Sequence, residues 1–129
     1  MYRSHENATT RGARLTQFEA LLLSIGIEAA VAWPLVAGLR WGHGPRAALA
    51  AAVGTLLTHW AAWAGFQQLY EQFDYAPTLV VVEGCVIAAE WAAYRLIVPL
   101  PAGRALLASA IVNASSTLIG VALYALDLA

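Results

Sequence analysis

Four ionisable side chains, Glu28, His59, Glu83 and Glu90, stand inside hydrophobic stretches long enough to cross a membrane. A carboxylate near the centre of a bilayer costs ~2.5–3.5 kcal/mol on insertion scales. Residues placed there at that cost face a protein interior or a water-filled path, and they are functional candidates by default. Burial among apolar neighbours penalises the ionised form of a carboxyl, which lets such a group take up and give back a proton. Two or three carboxyls with an imidazole beside them therefore form a proton relay or a cation site.

The elements that must position these groups follow from composition. The chain has 129 residues, 60% of them hydrophobic and 12% charged. A soluble domain is ~25% charged, so this one lacks half the usual charge. The net charge of −1 points away from nucleic acid, and a single cysteine, Cys85, excludes an internal disulfide. Residues 1–16 form a polar N-terminal tail with Arg3, Arg11 and Arg14, and 17–129 a transmembrane domain. Four segments reach the ~20 residues a helix needs to span a bilayer: about 17–39, 47–70, 77–98 and 105–126. Short connections between them, two rich in Gly and Pro, force neighbouring helices to run antiparallel. The expected fold is an all-α membrane protein, four transmembrane helices in an up-down bundle.

The two halves read as parallel αα-hairpin repeats. Glu28 precedes Arg40 by the same interval as Glu83 precedes Arg95, and His59 follows Arg46 as Thr117 follows Arg104. Thr55 and Asn113 are matched in the same way. At 1.5 Å per residue, Glu28, His59, Glu83 and Thr117 lie ~18–20 Å from their arginines, which brings all four to the middle of the bilayer. Helical spacing supports one polar stripe per helix. Ser24 and Glu28 share a face, as do Thr55, Thr58 and His59, then Glu83, Glu90 and Tyr94, then Ser109, Asn113 and Ser116. Glu19 lies on roughly the opposite side of the first helix and reads as interfacial. Pro34 is expected to kink that helix and release a carbonyl near Ala30 and Glu28. Arg40, Arg46, Arg95 and Arg104 crowd the first and third connections, while the middle one holds Glu71 and Asp74. The positive-inside rule then puts both termini outside, with the three tail arginines opposing.

Three chemistries compete for the stripe. Helix–helix glue accounts for Ser109, Ser116, Thr55 and Thr58, since buried hydroxyls hold membrane bundles together at ~0.6 kcal/mol each. It accounts poorly for the glutamates, because glutamine would hydrogen-bond without the cost of ionisation. A divalent metal held by Glu28, His59 and Glu83 is the second, although the Glu-x-x-His spacing of di-iron bundles is missing. The third is a translocation path. In that reading Glu28 and Glu83 bind a proton or cation, Glu90 and His59 relay it, and Asn113 holds a carboxylate, with Ser116 and Thr55 in support.

The expected function is thus a small multi-pass membrane transporter or channel for protons or cations. Its rivals are an accessory or assembly subunit of a larger membrane complex and a small metal-dependent membrane enzyme. No phosphate-binding loop, dinucleotide loop, Ser-His-Asp arrangement or CxxC is present, which weighs against an enzyme. The expected partners are membrane lipid and either a second copy, as a homodimer, or the other subunits of a complex. The expected location is a prokaryotic inner membrane.

Overall fold

The computed structural model describes residues 15–126. The tail expected over 1–16, with Arg3, Arg11 and Arg14, lies almost wholly outside the described residues. The rest forms four α-helices, α1 Gln17–Gly38, α2 Gly44–Tyr70, α3 Tyr75–Ile97 and α4 Ala102–Ala125. All four are long and apolar enough to cross a membrane, and no strand occurs among the described residues. The chain is a multi-pass integral membrane protein of the expected fold class.

Local chemistry explains the helix ends. Thr16 caps α1: its hydroxyl accepts from the Glu19 backbone N–H at 3.2 Å, while the Glu19 carboxylate accepts from the Thr16 backbone N–H at 2.7 Å. This reciprocal box satisfies two donors that would otherwise lack partners. Glu19 is therefore a capping residue at an exposed helix end. At the other end of α1, Arg40 adopts φ 55 and its N–H reaches the Ala37 carbonyl, while the Trp41 N–H reaches that of Val36. This is the Schellman stop, with arginine where glycine is usual. Pro34 removes one backbone donor, but α1 runs on unbroken for another turn.

Three helices begin earlier than the hydropathy pattern suggests, α2 at Gly44, α3 at Tyr75 and α4 at Ala102. Proline fits the first turn of a helix, where its missing N–H has no intrahelical partner, so Pro45 opens α2 instead of delaying it. Arg46 and Arg104 consequently sit in first turns, and Arg95 in the last turn of α3.

The helices form a ring in which each packs on its chain neighbours and α1 closes on α4. Packing is uneven along the axis. Toward the α1–α2 and α3–α4 connections, Ala32, Val36, Ala47, Ala50, Ala51, Tyr94, Ala105, Ala108 and Val112 are completely buried. Small residues there let backbones approach closely, as membrane interfaces require. On α2 every buried residue lies between Gly44 and Thr55, and on α4 between Ala105 and Asn113. Beyond those points the ring opens.

Candidate functional site

Where the tight packing ends, two glutamates are buried. Glu28 on α1 is 3% exposed and Glu90 on α3 is 0% exposed. Glu28 accepts from the Thr55 hydroxyl through Oε2 and from the Ser116 hydroxyl through Oε1, the latter at 2.7 Å. Glu90 accepts from the Thr58 hydroxyl at 3.0 Å and from Asn113 Nδ2 at 2.7 Å. Each carboxyl is thus held by one group from α2 and one from α4, and all four donors are neutral.

Gly54 makes the seat of Glu90 available. A Cβ at that position would stand 2.9 Å from Glu90 Cγ and 3.2 Å from its Cδ. Only a residue without a side chain leaves the notch in α2 into which the α3 carboxyl fits.

The donors differ in how firmly they are committed. Asn113 carries two amide hydrogens and spends one on Glu90, the other on the Ser109 carbonyl at 3.0 Å. A hydroxyl has a single hydrogen. Thr55 also faces the Ala51 carbonyl at 2.9 Å, Thr58 that of Gly54 at 3.0 Å, and Ser116 that of Asn113 at 3.0 Å. Each of these hydroxyls can turn its hydrogen to the carboxylate, or turn it to the backbone and accept from a protonated carboxyl. The network therefore satisfies either protonation state of Glu28 and Glu90 without moving the backbone. Tyr94, one turn beyond Glu90, is fully buried and its hydroxyl has no partner among the described residues.

Above this floor lies a cavity of about 590 Å³ between all four helices. Its lining runs from Glu28, Glu90 and Asn113 past Glu83 and Thr117 to Tyr70, Tyr75 and Tyr124, at the helix ends beside the α2–α3 connection. Among the described residues no arginine lines it. Phe66, Tyr70 and Tyr75 form an aromatic cluster with ring centroids 5.5–6.2 Å apart.

The sequence-derived site is brought together in part and rearranged. Glu83, the repeat counterpart of Glu28, is half-buried on the cavity wall, and the buried position on α3 belongs to Glu90. Asn113, matched to Thr55 by the repeat, serves Glu90 and not Glu83. His59 also lines the cavity but stands off the floor: its Nε2 is 3.2 Å from the Gln17 carbonyl in the first turn of α1, and its ring lies 6.0 Å from Trp63. Thr55, Thr58, Asn113 and Ser116 hold Glu28 and Glu90 at the floor, and Glu83 and Thr117 stand with them on the cavity lining. The triad Glu28, His59 and Glu83 does not form a metal site, since no three His, Cys, Asp or Glu side chains among the described residues group closely enough. Gly54 was not visible as a site residue. Its one sequence signal is its place a single helical turn before Thr58 on the polar sector of α2.

Comparison of the chain with protein-family models, with curated proteins and with solved structures finds no match.

Proposed function

We propose that this protein binds protons or cations at its intramembrane carboxyls and transfers them between the cavity and the far side of the bundle, as a small transporter or channel. The observation that supports this most directly is the pair Glu28 and Glu90, buried yet held only by neutral donors, three of which can reverse their hydrogen bonds. A structural ion pair would place a basic residue beside each carboxyl. Here the described arginines lie in the connections and end turns at the opposite end from the cavity mouth.

In this reading Glu83, half-exposed on the wall, meets the charge first, and Glu28 and Glu90 receive it at the floor. His59 acts nearer the mouth than a relay beside the carboxyls would. The arginine bias points the closed end to the cytoplasm and the mouth to the opposite side, which suits an inner membrane of a prokaryotic cell.

The test is proton flux into liposomes carrying the purified protein and an internal pH indicator, with potassium and valinomycin clamping the potential. The expected result is a flux that Glu90→Gln and Glu83→Gln abolish while both variants stay helical and elute as the native protein does. Flux unchanged in both variants, or absent from the native protein, would overturn the proposal. If the native chain is recovered intact only together with other polypeptides, the role of an accessory subunit takes its place.

A further inference from the structure

We propose that the cavity is a binding site for a lipophilic organic monocation, an ammonium or phosphonium whose apolar groups rest on the aromatic walls and whose charge settles against the carboxyls below. This rests on the reading that the floor handles positive charge, and it adds the class of the charge carrier.

Size is the first argument. A proton or a bare metal ion needs no space of this kind, whereas about 590 Å³ falls inside the ~300–1,000 Å³ of pockets that take drug-sized ligands. Wall chemistry is the second. Trp63, Phe66, Tyr70 and Tyr75 line the same cavity as Glu83. Aromatic faces attract organic cations, and quaternary ammonium ligands are recognised in this way. An anion would meet carboxyls and, among the described residues, no arginine.

The floor supplies the third argument. An inorganic divalent ion needs several oxygens free to converge on it. The carboxyl oxygens of Glu28 and Glu90 are already engaged by neighbouring side chains, and no three metal-ligating side chains group together among the described residues. A diffuse organic charge asks for less, namely one carboxylate nearby and rings around it. Glu83, on the wall and half-exposed, is that carboxylate.

The experiment is equilibrium dialysis of the full chain in detergent against tetraphenylphosphonium, with triphenylphosphine oxide as an uncharged competitor. Saturable binding is expected that weakens at least tenfold in Glu83→Gln and about tenfold in Trp63→Ala, and that the uncharged competitor does not displace. Binding that is absent, or that persists unchanged in Trp63→Ala and Glu83→Gln as micelle partitioning would, overturns the inference. Trp63→Ala decides alone if Glu83→Gln fails to fold. The liposome assay separates the two readings. Proton flux without phosphonium binding overturns this inference and leaves the proposed function standing, and binding without flux does the reverse.

Discussion

The two ends of this bundle are built from the same four helices and behave oppositely. Toward the α1–α2 and α3–α4 connections, Ala47, Ala50, Ala51, Ala105 and Ala108 are fully buried and the helices close into a plug. Toward the α2–α3 connection no residue of α2 after Thr55, and none of α4 after Asn113, is buried, and the helices enclose a cavity. Side-chain size accounts for much of this. Alanine on facing helices permits close approach, whereas Trp63, Phe66, Tyr70, Tyr75 and Tyr124 line the cavity at the other end. Charge divides the same way, with Arg40, Arg46, Arg95 and Arg104 around the plug and Glu83 on the cavity wall. Glu28 and Glu90 mark the seam, buried by the plug on one side and lining the cavity on the other.

Substitutions can break this contrast, and the largest effect is expected in the plug. Ala108→Phe inserts a ring where nothing is exposed, and a loss of about 3 kcal/mol or failure to fold is expected. Ala62→Phe on the cavity wall should change stability little, and thermal unfolding in detergent compares the two. Equal losses would mean that the open end packs as tightly as the plug.

At the seam, Gly54→Ala drives a methyl group into Glu90. Overpacking costs about 1–3 kcal/mol, against ~1 kcal/mol gained from helix propensity. A net loss is expected that Glu90→Ala in the same chain relieves, because the clashing atoms are gone; additive effects in the double-mutant cycle would contradict the seat. Smaller still is the difference between the donors. Asn113→Ala leaves Glu90 without its committed amide and should cost about 1–2 kcal/mol, while Ser116→Ala removes a reversible hydroxyl and should cost ~0.6 kcal/mol. The order of the two unfolding midpoints checks this. One change is expected to be a gain: Arg40→Gly relieves the left-handed backbone, raising stability by about 1 kcal/mol or less. No gain, or a loss, would show that the arginine side chain stabilises that end by more than its backbone costs.

How much was readable beforehand differs between fold and site. The four spans and their antiparallel order follow from hydropathy and short connections, which act locally along the chain. The first turns of α2 and α4 were missed because Pro45 and Pro101 read as breakers, although proline is tolerated where no intrahelical donor is needed. Glu28, Glu83, Glu90 and Asn113 stand out in sequence because polar groups in apolar spans are costly. The apparent repeat then paired Glu28 with Glu83, and the structure buries Glu90 in that place because Gly54 offers it a notch.

The sequence by itself determined that this chain crosses a membrane four times with carboxyls inside, because hydrophobic length and intramembrane charge are properties of each segment alone. Only the tertiary structure decided which carboxyls share donors, that His59 stands off from them, and that one end is open. Those outcomes depend on which faces of α2 and α4 meet α1 and α3, and a one-dimensional pattern of polar residues does not specify that rotation.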